Sequence, residues 1–187
     1  MRPEETTVVR GDEGLDELLE RFRDFPLFRQ LDDGEISEFV GRCETVELPG
    51  GEVFIEEGTR GEKLYFFDAG ELEVFVRDDA GKEHLLAAIT APAVVGEMEF
   101  LTREKRAASV RARTPARGLS VPFDRFFSQL QDGDTSSLRV FFYITQVLAK
   151  PLAAMNEKFA ELEQQAPGNR FHELRDFQQQ LMTEWSM

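Results

Sequence analysis

The 187 residues are enough for one domain with a hydrophobic core and a shorter appendage. A hydrophobic content of 41%, with 17 Phe, excludes a globally disordered chain. The formal net charge of −14 opposes binding to nucleic acid and to anionic membranes, so neither is expected as a partner. Cys43 is the only cysteine, and with 2 His the chain lacks the ligands for a His/Cys metal cluster.

The N-terminal residues give no targeting signal. They lack the apolar core of a signal peptide, and no later run approaches the roughly 20 apolar residues needed to cross a bilayer. We therefore expect a cytoplasmic protein with no membrane partner.

Two helices are predicted before the first strand. Residues 13–31 begin with apolar positions at helical spacing, and Pro26 should end or bend this helix. A shorter helix follows in residues 32–43, where Asp32 and Glu35 have capping-box spacing.

Residues 46–121 have the pattern of an antiparallel β structure. Short apolar runs are cut by Gly, Pro and Asp at intervals of roughly ten residues, which predicts a compact sandwich or barrel. Within ELEVFVR, the apolar residues Leu72, Val74 and Val76 alternate with the others, as in a strand with one buried face.

Helical spacing returns after Pro122, first in FDRFFSQL and then in a long helix that begins near residue 135. Pro151 should bend the long helix, and a last amphipathic helix is predicted near residues 170–185. The long helix carries a heptad seam, which favours a homodimer through residues 138–162 and leaves open pairing with the terminal helix of the same chain. The seam consists of Leu138, Phe141, Thr145, Leu148, Leu152, Met155, Phe159 and Leu162.

These elements divide the chain into three predicted regions. An N-terminal helical extension covers residues 1–24, a β domain covers residues 25–133, and a helical dimerisation or interaction region covers residues 134–187. The predicted fold class is α+β.

A cluster of bases stands out in this acidic chain. Six bases lie in a segment that contains one acid, Glu104, and they predict a local anion-attracting field. The bases are Arg103, Lys105, Arg106, Arg111, Arg113 and Arg117.

The segment VVGEMEFLTREKRAASV holds residues suited to an anion. Gly96 allows a close approach of the backbone, and the next residues can begin a helical turn with free N–H groups. The guanidinium of Arg106 can hold two phosphate oxygens, while Ala107 and Ala108 leave space beside it. Glu97 can accept hydrogen bonds from a sugar hydroxyl. The segment therefore predicts a site for a small ligand with one phosphate and one sugar hydroxyl.

The order of these motifs resembles a cyclic nucleotide-binding domain. That family includes catabolite activator proteins, regulatory subunits of cAMP-dependent protein kinase and cyclic-nucleotide-gated channels. The resemblance covers roughly residues 25–165 and is carried by the phosphate-binding cassette, G-E-(apolar) followed by R-A-A-(S/T)-V. Four glycines precede it at turn positions: Gly50, Gly58, Gly61 and Gly70.

The resemblance implies a β jelly roll with flanking helices and gives each site residue a role. Glu97 would bind the ribose 2′-hydroxyl beside the Gly96 backbone, Arg106 would pair with the cyclic phosphate, and the N–H groups of Glu99 and Ala107 would complete the anion cradle. The predicted ligand-binding residues are Gly96, Glu97, Met98, Glu99, Arg106, Ala107 and Ala108. In the family, Ala at the position of Ala107 accompanies cAMP more often than cGMP, so the resemblance implies cAMP as the ligand, with cGMP as the alternative. Ser136, Ser137 and Phe141 are candidates for capping the base.

Glu99 departs from the family pattern, which has a small residue at this position. If its carboxylate lies near the phosphate site it repels the ligand, and if it points to solvent it is harmless and favours the helix dipole. The orientation of Glu99 therefore separates two predictions, an intact ligand site and a domain that has kept the fold but lost the ligand.

The predicted function is a sensor without catalytic activity. No nucleophile, base and orienter occur together, and the residues after 165 are too acidic for a DNA-recognition face. We expect a cAMP sensor that relays ligand binding to a protein effector through its C-terminal helices. The alternative is a ligand-free scaffold for protein–protein interaction.

Overall fold

The computed structural model of the protein describes residues 14–146 and residue 148. The helices are α1 (Leu15–Phe22), α2 (Asp33–Val40), α3 (Glu97–Thr102), α4 (Phe123–Gln131) and α5 (residues 135–146), with a 3₁₀ turn at Phe28–Gln30. The strands are β1 (Glu44–Leu48), β2 (Val53–Ile55), β3 (Lys63–Ala69), β4 (Glu71–Arg77), β5 (Glu83–Thr90), β6 (Ala93–Val95), β7 (Ser109–Ala112) and β8 (Ala116–Pro122).

The strands form two four-stranded antiparallel sheets. One has the order β1-β8-β3-β6 and the other β2-β7-β4-β5. Aliphatic and aromatic residues from both sheets, among them Leu72, Phe67 and Val110, form one buried cluster. The α+β jelly roll predicted from the sequence is confirmed.

A second, aromatic core joins the first sheet to the helices. Phe66 on β3 has its ring centroid 5.6 Å from that of Phe39 on α2, and Phe39 lies 5.9 Å from Phe126 on α4. The neighbours of Phe66 on the strand, Tyr65 and Phe67, belong to the cluster between the sheets. Strand β3 is therefore buried on both faces, and the β domain and these helices share one interior.

The short N-terminal helices follow the local sequence signals. Helix α1 ends at Phe22, before Pro26. Asp32 caps α2, because its side chain accepts from the Glu35 amide while the Glu35 side chain accepts from the Asp32 amide. The predicted capping box is confirmed.

The outer face of β4 is covered by arginines. Leu72 and Val74 pack into the cluster between the sheets, as the alternation predicted. Phe75 lies outside that cluster, yet its side chain is buried, with only 1% of its surface exposed. The guanidinium groups of Arg77 and Arg111 lie 5.2 Å and 4.9 Å from the Phe75 ring centroid. Phe75 is thus buried beneath charged side chains on the outside of the sheet.

The chain divides into two compact units, residues 1–144 and residues 145–187. Within the first unit, α5 buries Val140 and Ile144, one helical turn apart, while Leu138 and Phe142 are 45% and 62% exposed. Half of the predicted seam residues, Pro151 and the last predicted helix lie outside the described residues, so the homodimer and the three-region division stay predictions. No helix in the described part of the chain has both the length and the apolar character needed to cross a membrane.

Candidate functional site

Strand β6 leads directly into the cassette helix α3. Gly96 caps α3 in the left-handed conformation with φ 90°, which favours glycine, and a Cβ at this position would lie 2.6 Å from Nη1 of Arg106. The helix ends at Arg103, also left-handed with φ 62°, whose guanidinium lies 3.6 Å from the ring centroid of Phe127 on α4. Both ends of α3 are therefore fixed by their local geometry.

Arg106 forms a buried ion pair with Glu99. Arg106 Nη1 donates to Glu99 Oε2 at 2.5 Å, and the Ala107 amide donates to Glu99 Oε1 at 3.2 Å. Arg106 and Glu99 are only 5% and 7% exposed. The carboxylate thus receives hydrogen bonds from two groups that were predicted to hold the ligand phosphate. Of the two orientations of Glu99 that the sequence left open, the structure shows the one in which the carboxylate lies at the phosphate site.

The backbone around Arg106 fixes the direction of its side chain. The Arg106 amide donates to the Thr59 carbonyl at 2.8 Å, and the Arg106 carbonyl accepts from the Gly58 amide at 2.8 Å. At the other end, Nη2 donates to the Lys63 carbonyl at 2.9 Å. These three hydrogen bonds, two to the Arg106 backbone and one to its guanidinium, orient the guanidinium toward α3.

Sequence reasoning missed two members of this site. The Lys63 carbonyl gives no signal in the sequence, because any residue presents one. Gly61 was assigned only to a turn, yet a Cβ there would lie 3.0 Å from Arg106 Cζ and 3.1 Å from Glu99 Cβ. Gly61 leaves the space in which the ion pair packs.

Glu97 lines the same site and has no side-chain partner among the described residues. Burial raises the pKa of Glu97, and the negative charge of Glu99 adds to the rise, while hydrogen bonds from the backbone amides of Glu97 and Gly96 and the charge of Arg106 oppose it. An acid that is held in a pocket without a cation of its own is typical of a group that serves a ligand.

The site opens into a small cavity of about 110 Å³. Its lining combines aliphatic side chains with the two acids Glu97 and Glu99. Gly96, Met98, Ala107 and Ala108 also line it, and Met98 is 52% exposed. The structure therefore brings together around one cavity the residues predicted to bind the ligand, apart from Arg106, which lies behind Glu99.

The predicted base-capping residues do not line this cavity. The hydroxyls of Ser136 and Ser137 donate to Asp134 at 2.7 Å and Gln129 at 2.8 Å, and Phe141 packs 6.2 Å from Phe100. The two serines instead belong to the buried start of α5.

Ion pairs engage most of the basic cluster, so the local anion-attracting field stays a prediction. Arg106 pairs with Glu99, Arg111 with Glu73 and Glu83, Arg113 with Glu71, and Arg117 with Asp68. Four of the six cluster bases thus have an acidic partner: Glu99 of the same segment for Arg106, and acids that are distant in sequence for Arg111, Arg113 and Arg117. No group of three potential metal ligands occurs in the described part of the chain.

Comparison with known proteins identifies the domain. The family model "Cyclic nucleotide-binding domain" matches residues 45–132. The cAMP-activated global transcriptional regulator CRP of Salmonella typhimurium is 25% identical over 131 residues, which is 70% of this chain and 60% of the relative. A cAMP-dependent protein kinase regulatory subunit of Emericella nidulans is 32% identical over 101 residues, which is 54% of this chain and 24% of that protein. By name these relatives are a regulator and a regulatory subunit, not enzymes.

A solved structure shows the same fold. A cyclic nucleotide-binding domain from Methylobacillus flagellatus has a TM-score of 0.65 at 21% identity, with 83% of this chain and 86% of that chain covered. The present chain spans about 60% of the length of the transcriptional regulator above. Residues 45–132 therefore match a cyclic nucleotide-binding domain, with homologues in the transcriptional regulator CRP and in a protein kinase A regulatory subunit.

Proposed function

We propose that this domain is a non-catalytic, cytoplasmic sensor of a cyclic nucleotide, with cAMP as the first candidate, and that the ligand phosphate binds by displacing Glu99 from Arg106. One observation carries the proposal: Gly96, Glu97 and Ala107 line one cavity, and the Glu99 carboxylate beside them accepts hydrogen bonds from Arg106 and from the Ala107 amide, in the position of the anion. The ribose hydroxyl would bind to Glu97, and the phosphate would take over the hydrogen bonds that Glu99 now receives.

The displacement lowers affinity by an amount that can be estimated. A hydrogen bond to a charged group contributes about 1.5–3 kcal/mol, and each 1.4 kcal/mol changes a dissociation constant tenfold. Removing the competing carboxylate charge should therefore tighten cAMP binding by roughly 10- to 100-fold.

Titration calorimetry with cAMP and cGMP tests the proposal. We expect Glu99→Gln to bind cAMP at least tenfold more tightly than the wild-type protein, and Arg106→Ala to lose binding. Glu104→Gln, the same change at an exposed position of the same segment, should behave like the wild type. If Glu99→Gln folds and gives no heat with either nucleotide at millimolar concentration, the sensor proposal is wrong.

One observation favours a second function. With Glu99 in place, Arg106 and the Ala107 amide already have a partner, so the cassette is complete without a ligand. A ligand-free scaffold of this kind would gain no affinity for nucleotides from Glu99→Gln. The same titration therefore distinguishes the two functions.

The aromatic residue after Glu99 provides a route for relay. The Phe100 ring contacts Phe126 and Phe127 of α4, with centroids 5.0 Å and 4.6 Å away, and Phe141 of α5 at 6.2 Å. We infer that displacement of Glu99 shifts α3 and with it Phe100, which would change the packing of both helices. We expect cAMP to alter amide hydrogen exchange in α4 and α5 of Glu99→Gln, and unchanged exchange there would refute this route.

The effector would bind to the helices beyond the β domain. On α5, Leu138 and Phe142 are exposed and one helical turn apart, which suits a helical partner. We also propose that residues 138–162 form a homodimer, separate from the contact with the effector. Sedimentation equilibrium should give a dimer for the wild type and a monomer for Leu138→Asp, whereas a wild-type monomer would refute it.

A further inference from the structure

We propose that the cassette binds its nucleotide together with one proton, which the Glu99 carboxylate takes up from solvent when the phosphate displaces it from Arg106. This inference rests on the proposed function, because it assumes that the phosphate replaces Glu99. It goes beyond that function, since it makes acidity a second signal that is read at the same site.

In the ligand-free site, Glu99 forms a balanced pair with Arg106. The Glu99 carboxylate accepts hydrogen bonds from the Arg106 guanidinium and from the Ala107 amide, and both donors stabilise its negative charge. Both members of the pair are buried. The interior therefore holds one positive and one negative charge before the ligand binds.

A bound phosphate removes the partner of Glu99. The phosphodiester of a cyclic nucleotide carries one negative charge, so it pairs with Arg106 and leaves the Glu99 carboxylate without a cation. The side chain stays in the interior, because Glu99 is 7% exposed and a Cβ on Gly61 would lie only 3.1 Å from the Glu99 Cβ. A carboxylate that is buried without a partner is unfavourable in its ionised form, and such a group takes up a proton instead.

The two nearest basic side chains on other elements are engaged elsewhere. The Lys63 amine lies 2.9 Å from the Glu44 carboxylate. The Arg103 guanidinium lies 3.6 Å from the ring centroid of Phe127. Neither is directed at Glu99, so neither replaces Arg106 as its cation.

The loops and the helix around the pair offer no replacement either. Lys105 faces Arg60 across an isolated antiparallel bridge and both are exposed, so Lys105 points away from the buried Arg106. From α4 the pair meets an apolar group, because the Phe123 ring centroid lies 5.7 Å from the Arg106 guanidinium. The acids of the same loops are exposed as well: Glu62 and Glu104.

The other titratable groups near the pair do not account for the proton. Glu97 keeps its charge in the complex, because the ribose hydroxyl joins the backbone amides that already donate to it, and its charge opposes that of Glu99. Burial raises the pKa of Tyr65, so its phenol stays neutral around pH 7. His84, the only histidine in the described part of the chain, lies on β5 and contacts Asp78 at 2.8 Å. The proton is therefore assigned to Glu99.

Titration calorimetry of the full chain with cAMP, between about pH 6 and 8 in buffers without phosphate, tests this inference. We expect the association constant of the wild type to fall by close to tenfold for each pH unit, as linkage requires for one proton taken up. Repeating the titration in two buffers of different ionisation enthalpy counts this proton directly. Glu99→Gln should bind cAMP with the same affinity across this range and take up no proton. His84→Gln, a matched control at an exposed titratable residue, should keep the wild-type dependence.

The outcomes separate this inference from the proposed function. If cAMP binds the wild type with an affinity that does not change with pH, or if Glu99→Gln keeps the wild-type dependence, the inference is overturned and the sensor function stands. The same holds if Glu99→Gln binds cAMP while the wild type gives no heat even at the acid end of the range. If neither protein binds cAMP, both fail. The proton count in the wild type decides the question even if Glu99→Gln does not fold.

Discussion

Two sets of ion pairs in this molecule use the same residue types in different surroundings. In the cassette, Arg106 and Glu99 are 5% and 7% exposed. On the outer face of the second sheet, Arg111 pairs with Glu73 and Glu83 at 2.8 Å, but the Arg111 side chain is 32% exposed. Water therefore screens the outer pairs, while the cassette pair lies in a low-dielectric interior.

This difference explains what each set can do. An exposed pair contributes little and is readily replaced by water. A buried pair cannot lose one member unless another charge takes its place, because an unpaired buried charge is strongly destabilising. The cassette pair is thus suited to exchange one anion for another, and the outer pairs are suited to cover Phe75.

The largest expected effect comes from breaking the cassette pair. Arg106→Met leaves the Glu99 carboxylate buried without its cation and should lower the free energy of unfolding by about 3–5 kcal/mol. Chemical denaturation measures the loss, with Lys105→Met as the exposed control. The double variant Arg106→Met/Glu99→Met should recover most of the stability. If the single and double variants are equally unstable, the pair is not the cause.

A change beside the pair should have the next largest effect. In Gly61→Ala the new Cβ lies 3.0 Å from Arg106 Cζ and 3.1 Å from Glu99 Cβ, so the pair must shift. Overpacking of this kind costs about 1–3 kcal/mol. Gly14→Ala, which has nothing within 4 Å, is the matched control. Equal unfolding free energies for the two variants would show that Gly61 does not confine the pair.

Glu97 differs from the acids of both sets of ion pairs, because it lines the pocket and forms no salt bridge with a basic side chain among the described residues. Its pKa is raised above the ordinary value of 4.5 by burial and by Glu99, so its ionised form disfavours folding. Glu97→Gln should therefore be more stable than the wild type at pH 7. The difference should disappear as the pH falls below about 4.5, where Glu97 is protonated in the folded and the unfolded state alike.

Denaturant titrations at several pH values measure this difference. A Glu97→Gln protein that is less stable than the wild type at pH 7 would contradict the conclusion that burial disfavours the ionised form of Glu97.

The smallest effect is expected at the outer face. Arg111→Ala removes exposed ion pairs and part of the cover over Phe75, so the thermal midpoint should fall far less than in Arg106→Met. The electrostatic part of the change should disappear at high salt. A loss as large as that of Arg106→Met would remove the distinction between the two sets of pairs.

Much of the fold was predictable because its signals are local. The Asp32–Glu35 capping box, the alternation at Leu72 and Val74, and the glycine before α3 each depend on neighbouring residues. The spacing from Gly96 to Arg106 likewise carried the family resemblance. These features need only backbone geometry and residue type.

The missed features depend on residues that are distant in sequence. The position of Arg111 opposite Glu73 follows from the pairing of β4 with β7, and no local pattern contains that register. The inward turn of Glu99 depends on where the loop with Arg106 passes α3, and on the space left by Gly61. Sequence reasoning identified Glu99 as the residue that decides the site but did not determine its orientation.

The most direct test of the account is the state of the Ala107 amide, observed by ¹H–¹⁵N nuclear magnetic resonance in the ligand-free protein. Because this amide donates to Glu99, its resonance should shift strongly in Glu99→Gln and very little in Glu104→Gln. An Ala107 resonance that is the same in the wild type and Glu99→Gln would show that the carboxylate does not occupy the anion site, and would contradict the central claim.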